Sequence, residues 1–184
     1  MSPDWPLETS RLTLRPFVEG DFDAVYAMRS DPDVALYLYQ GPLSPDETRS
    51  RLERNMALSA WTAEGDWLSV AVVERATRLT VGDLAFHWVS ERDRTAEVGF
   101  VFDPRHQGKG FATEAARALV EWAFGFGGFH RVIGRTEARN VASARVLEKL
   151  GMRLEAHFVE NEWVKGEWQS ELVYAILDRE WRGL

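Results

Sequence analysis

The sequence predicts a single mixed α/β (α+β) domain spanning residues 1–184, with antiparallel strands first, one strand-helix-strand crossover in the middle and a closing hairpin. Three observations predict it. Short β-like runs crowd the first half between charged turns, a glycine-rich break near the middle opens directly into a helix-period stretch, and two long extended runs flank Lys165-Gly166. The 184 residues fit one domain at roughly 150 residues per domain. A chain of that length buries roughly 70% of its unfolded surface and needs no covalent staple. Indeed it has no cysteine, which removes disulfide scaffolds, thiolate zinc sites and cysteine nucleophiles together.

Element by element, Leu12-Thr13-Leu14 alternates apolar and polar before Arg15-Pro16 and reads as a short first strand at a sheet edge. From Gly20 the period becomes helical, with Phe22, Val25, Tyr26 and Met28-Arg29 on one face, Asp21 suited to cap the start and Asp31-Pro32 ending it. Ser44-Pro45-Asp46-Glu47 is a helix start with a capping box and proline at the first position, and Leu52, Met56 and Trp61 continue its apolar face. Between these helices, Val34 to Pro42 carries Tyr37, Leu38 and Tyr39, more aromatic surface than a connector needs, and is a candidate pocket wall. Strands follow at Trp67 to Val73, Leu79 to Trp88 and Thr95 to Phe102, closely spaced as in antiparallel hairpins. Next come a helix from Phe111 to Phe124, a break at Gly125 to Gly128, a strand at Arg131 to Glu137 and a helix from Val141 to Leu150 capped by Gly151. Arg153 to Trp163 and Glu167 to Leu177 close the chain as a hairpin around Lys165-Gly166.

Charge and composition narrow the function. A hydrophobic share of 45% with 28% charged residues is that of a globular protein and fits disorder and coiled coil poorly. The formal charge of −7 argues against a nucleic-acid backbone binder, whose affinity rests on clustered Lys and Arg. No secretory leader is visible at Met1 to Pro6, and no window approaches the ~18 apolar residues of a membrane helix. The expectation is a soluble cytoplasmic protein. His87, His106, His130 and His157 are scattered without ligand spacing, so no metal is expected. The absence of a Gly-x-Ser-x-Gly elbow weakens a serine hydrolase reading. Eight tryptophans mostly suit core positions, with Trp61 and Trp88 as possible pocket residues.

Most informative is the run from Phe100-Val101-Phe102 through Asp103-Pro104-Arg105-His106-Gln107-Gly108-Lys109-Gly110 into Phe111-Ala112-Thr113-Glu114, an apolar strand passing through a glycine-rich turn into a helix. Gly108 and Gly110 lack the Cβ that would block close approach, and the free N–H groups of the first helical turn favour a pyrophosphate. Arg105 and Lys109 would add positive charge at the mouth. A dinucleotide fingerprint is nearly matched, with Glu137 as the ribose acid, but that fold has this loop after its first strand, whereas here three extended runs and two helices come earlier and only one crossover follows. Walker spacing is absent. The other reading is two glycines that merely make a tight turn.

Arg105-x-x-Gly108-x-Gly110 resembles the Arg/Gln-x-x-Gly-x-Gly/Ala pyrophosphate loop of the GNAT superfamily of acyl-CoA-dependent N-acyltransferases. Glu97-Val98-Gly99-Phe100 ahead of it and Asn140-x-x-Ser143-x-x-x-Leu147-Glu148-Lys149-Leu150-Gly151-Met152 behind it resemble that family's flanking motifs. The likeness runs from Glu8-Thr9-Ser10-Arg11-Leu12 to Tyr174 and is nearest the branch that acetylates N-terminal amines of ribosomal proteins. It implies a twisted, mostly antiparallel sheet whose central parallel pair, ending near Phe102 and at Glu137, splays apart to admit acetyl-CoA. It also implies that the pantetheine arm pairs with the main chain of Phe100, Val101 and Phe102. The amides of Gln107, Gly108, Lys109, Gly110, Phe111, Ala112 and Thr113 would hold the diphosphate. Asn140 would reach the pantetheine, serve as an ordinary helix cap, or both.

Acetyl transfer from a thioester to an amine requires a neutral nucleophile, a stabilised oxyanion and a proton for the thiolate, with no covalent enzyme intermediate. An N-terminal amine with pKa near ~8 is already about a tenth neutral at pH 7, whereas a lysine near ~10.4 is almost wholly charged. By resemblance two glutamates are candidate bases, Glu97 and, preferred here, Glu162 acting through water; each is also readable as a solvated strand carboxylate. Leu147 stands where many members carry a tyrosine acid, so that acid is excluded there, and Ser143 matches the serine that the ribosomal-protein branch uses instead. Ser143 is equally readable as a first-turn residue satisfying its own helix. A main-chain N–H between Phe100 and Phe102 would meet the oxyanion, worth about 3 kcal/mol. The acceptor is open among a protein N-terminus, a polyamine, an amino sugar and an aminoglycoside. The branch resemblance and common symmetry imply a homodimer, and the rival from another class is a non-catalytic acyl-CoA-binding module.

Overall fold

In the computed structural model, which describes residues 2–58 and 60–183, one eight-stranded sheet carries the helices. The strands are β1 (Leu7–Glu8), β2 (Leu12–Arg15), β3 (Trp67–Glu74), β4 (Thr80–Ser90), β5 (Thr95–Phe102), β6 (Arg131–Glu137), β7 (Arg153–Val164) and β8 (Glu167–Leu177). Their spatial order is β1-β2-β3-β4-β5-β6-β8-β7. Every neighbouring pair is antiparallel except β5 and β6, which are joined in parallel through the crossover helix α4 (Phe111–Gly125). The expected mixed architecture therefore stands, with helices α1 (Phe22–Arg29), α2 (Pro32–Ala35), α3 (Pro45–Ala57), α5 (Val141–Lys149) and α6 (Asp178–Trp181) completing it.

Local chemistry explains the boundaries. Ser44 and Glu47 form the reciprocal capping box of α3, with Pro45 at its first position. Lys165 and Gly166 adopt positive φ of 51° and 87°, which suits the two-residue hairpin between β7 and β8. Gly151, at φ 82°, ends α5. At Gly134 the close approach is tertiary: a Cβ there would lie 2.5 Å from Leu147 Cδ2, so the missing side chain lets α5 lie directly on β6.

Three expectations are corrected. Asp21 does not cap α1; its buried carboxylate accepts from Arg15 Nη1 at 2.7 Å, Thr80 Oγ1 at 2.6 Å and Val18 N at 2.8 Å, and the helix grows out of a 3-10 turn, Glu19–Asp21. Asp31 starts an element as well as ending one, because its carboxylate accepts from Asp33 N at 2.8 Å and opens α2. Trp61 lies beyond the end of α3, in the main core, stacked on Trp122 at 5.4 Å and donating Nε1 to the Phe86 carbonyl at 2.9 Å. The main core is continuous between the sheet and α4, through Leu84, Phe86, Val98, Ala115, Leu119 and Ala123. Among the described residues no helix is long and apolar enough to cross a membrane.

Candidate active site

Parallel pairing between β5 and β6 lasts three residues, from Thr95↔Arg131 to Glu97↔Ile133, and then stops. Beyond it Val98 to Phe102 stay paired to β4 while β6 continues on β8. The strands open as expected, and the opening is occupied by two adjoining cavities.

The first, of about 370 Å³, lies between the end of β5, the start of α4 and α5. Phe100, Val101, Phe102, Gln107, Gly108, Gly110, Phe111, Ala112, Thr113, Asn140 and Ser143 all line it. Gly108 and Gly110 have φ of 74° and 79°, a left-handed conformation that favours glycine. Gly110 is the N-cap of α4 and offers no side-chain cap, so the first-turn amides are left for a ligand. These residues fit a diphosphate by shape, donors and dipole.

The loop is held from behind. Arg11 Nη1 donates to the Lys109 carbonyl at 2.9 Å, and Arg11 Nε donates to Glu114 Oε2 at 2.6 Å. Glu114 also accepts from Thr9 Oγ1 at 2.6 Å and from Ser10 Oγ at 3.0 Å. Burial alone would raise the Glu114 carboxyl, but these donors outweigh it and hold the group below its ordinary value. The side chain of Gln107 ties the loop back to β5 by donating Nε2 to the Phe102 carbonyl at 3.0 Å.

Arg105 and Lys109 do not line the cavity. Arg105 is spent on Asp103, its Nε donating to both carboxylate oxygens at 3.0 Å. Lys109 Nζ lies 3.5 Å from His106 Nδ1 and above the Phe111 ring. Cations sequence reading missed do line it, Arg145 and Lys149, one α5 turn apart on a face that only the packing of α5 turns inward.

The second cavity, of about 290 Å³, shares Tyr37, Leu38, Phe100, Val101, Asn140 and Ser143 with the first. The aromatic connector is thus a wall of both, as its composition suggested. Glu97 and Glu162 line the second cavity from strands on either side of the β5–β6 opening, β5 and β7. Asn140 Oδ1 accepts from Ser143 N at 3.1 Å, which makes the helix cap real and leaves the two amide donors of Asn140 without a partner among the described residues. Ser143 Oγ likewise has none. Trp61 and Trp88 belong to core packing, and Trp67 is the tryptophan at this cavity.

Electrostatics distinguish the two glutamates. Glu97, opposite His87 in register, has Oε2 3.6 Å from Arg135 Nε and 3.8 Å from His87 Nδ1. Burial pushes its carboxyl up, Arg135 partly counters this, and Glu171 adds to it. Burial also pulls the imidazole of His87 down, with Arg135 contributing. Glu162 instead accepts from the Tyr39 hydroxyl at 3.2 Å, and burial, reinforced by Glu162, pushes that phenol up to about 12. Because the native pKa of Glu97 is raised, its ionisation opposes folding, and stability falls as pH climbs through that native value. Glu97→Gln is therefore expected to reduce this fall, read by urea unfolding between pH 4 and 8; an unchanged pH profile would show that Glu97 is not held up in the fold.

Known acetyltransferases resemble this chain in sequence and fold. A family model described as an acetyltransferase (GNAT) domain matches residues 11–153. The uncharacterized N-acetyltransferase YnaD of Bacillus subtilis (strain 168) is 33% identical over 175 residues, covering 95% of this chain and 98% of its own length. The crystal structure of an acetyltransferase (GNAT family) from Bacillus anthracis superposes with a TM-score of 0.86 at 33% identity, over 95% of this chain and 99% of that one. RimL, a ribosomal L7/L12 alpha-N-protein acetyltransferase in complex with coenzyme A, shares the fold with a TM-score of 0.80 at 21% identity, over 94% and 97%.

Proposed function

The chain belongs to the GNAT acetyltransferase family, and from that membership we propose that it moves the acetyl group of acetyl-CoA onto a primary amine, a protein N-terminus or a small amine, by direct attack in a ternary complex. The observation that carries this is the union of two cavities at the β5–β6 opening, one with a phosphate cradle and the other with carboxylates, meeting at Phe100, Val101, Asn140 and Ser143. RimL's complex with coenzyme A supports the ligand assignment.

Bound there, acetyl-CoA supplies a thioester carbonyl carbon and a thiolate leaving group. The amides from Gln107 to Thr113 hold the diphosphate, and Arg145 and Lys149 add positive charge along the same wall. Main-chain groups of Phe100 to Phe102 pair with the pantetheine, one N–H meeting the charge that develops on the carbonyl oxygen. Asn140 donates its amide to the same arm. As the amine nitrogen bonds to the acetyl carbon, Glu162 takes the proton it loses through a water, with Glu97 as the second candidate. As the carbon–sulfur bond breaks, the Ser143 hydroxyl gives a proton to sulfur and recovers one from solvent.

The whole chain acts as one domain in the cytoplasm, and no metal takes part. Nucleic acid and membrane are not partners, in keeping with a charge of −7. The exposed Phe158, Val159 and Trp163 on edge strand β7 support a homodimer. A thiol-release assay with peptide N-termini, polyamines, amino sugars and aminoglycosides tests the reading, with products identified by mass spectrometry. Release with at least one class is expected. Tight acetyl-CoA binding without release from any amine would instead favour a non-catalytic acyl-CoA-binding module.

A further inference from the structure

The second cavity is electrically two-ended. At one end Glu97 and Glu171 share Arg135, with Arg135 Nη1 3.7 Å from Glu171 Oε2, and Glu162 stands nearby on β7. At the other end are Arg29, Asp83 and Arg51. Asp83 is already engaged, both of its oxygens accepting from Arg29 Nη2, at 2.8 and 2.6 Å. Arg51 has no hydrogen bond or ion pair among the described residues, although it is half-buried. It lines the second cavity together with two further hollows that open between α3 and the connector at residues 39–43.

A half-buried guanidinium without a carboxylate is costly, and arginine's planar fork suits bidentate capture of carboxylate or phosphate. Burial, with the like charge of Arg29 adding to it and Asp83 partly countering, pulls Arg51 below arginine's ordinary value. The sheet register supplies a length. Asp83 lies opposite Val101 and His87 opposite Glu97, so the two ends are four residues apart along β5, about 13 Å at ~3.3 Å per residue.

We propose that the acceptor is a small zwitterion, an amine that also bears a carboxylate or phosphate, held with its amine toward Glu97 and Glu162 and its anionic group on Arg51. This rests on the acetyl-transfer reading above and adds the substrate class to it. A cavity of about 290 Å³ is at the small end for ligand sites, which fits a metabolite-sized molecule rather than a folded partner. Polyamines lack the group that Arg51 requires. Arg51 is, on this account, a specificity residue that touches substrate away from the reacting atoms.

The test uses matched probes of graded length: glycine, 4-aminobutyrate and 6-aminohexanoate, each beside its carboxamide, with O-phosphoethanolamine beside ethanolamine, and an alanine-initiated peptide and spermidine as amines lacking the short anionic tether. Thiol release gives kcat/KM, and calorimetric titration of the same probes into the protein saturated with coenzyme A gives affinity independently of turnover. The expected result is a preference of at least ~30-fold for one anionic probe over its neutral match, carried mainly by KM, that shrinks to within ~3-fold in Arg51→Gln and is partly restored in Arg51→Lys, about 2 kcal/mol of discrimination. Equal use of anionic and neutral members, a better peptide or spermidine, or a ratio unmoved by Arg51→Gln overturns the proposal. No release from any probe would sink the acetyl-transfer reading, while the titrations would still decide whether Arg51 binds the anion.

Discussion

Replacing Gly110 with valine raises the dissociation constant for acetyl-CoA by about 100-fold or more, ~2.7 kcal/mol, while the protein stays folded. Gly110 sits at φ 79°, where a branched residue carries about 1–3 kcal/mol of strain. Its Cβ would already lie 3.5 Å from Arg11 Nη2, and the two further methyls have to go past that guanidinium. The loop relieves this by shifting its main chain, which turns the first-turn amides of α4 away from the diphosphate. The helix itself remains anchored, because Phe111, Ala115, Leu119 and Ala123 are buried against the sheet. Calorimetry with acetyl-CoA and a thermal melt by circular dichroism check both halves. Unchanged affinity would remove the loop from the mechanism.

Glu162→Gln is expected to lower kcat about 100-fold or more with little change in acetyl-CoA affinity, because the residue lines the amine-side cavity and not the phosphate cradle. The amide keeps the contact with the Tyr39 hydroxyl and loses only the capacity to accept a proton. Ser143→Ala, which lines both cavities, also lowers kcat, and its loss is greatest when departure of the thiolate limits the rate. Steady-state kinetics of the two variants beside Glu97→Gln assign the base: a full rate in Glu162→Gln with a collapse in Glu97→Gln would transfer the role to β5.

Most of the fold was legible because the signals were local. The strand Arg131–Glu137 and the hairpin at Lys165-Gly166 follow from alternation and from residues that accept positive φ, and the start of α3 follows from a capping box. The short strand Leu7–Glu8 outside β2 was not legible, since two residues carry no period, and the expected edge strand lies one place inside the sheet as a result. Trp61 was misplaced for a related reason: helical spacing from Leu52 continues past a helix end that no glycine or proline marks. At the site, the glycine loop and the Asn140 to Gly151 motif are contiguous in sequence and were found. Arg51, Arg135, Glu171 and Trp67 come from four separate elements and meet only through sheet order and the packing of α3. No spacing rule connects them. The charge expected from Arg105 is answered by Asp103 two residues earlier, a pairing that residue types alone do not reveal.

The position of β8 has a consequence for biogenesis. β6 finds only three partners on β5 and takes the rest of its hydrogen bonds from a strand made some thirty residues later, so a ribosome-tethered chain cut before Glu167 holds a hydrophobic ribbon with one flank bare. Productive closure must then await the C-terminal hairpin, and until it arrives the half-built molecule is a natural client for chaperones.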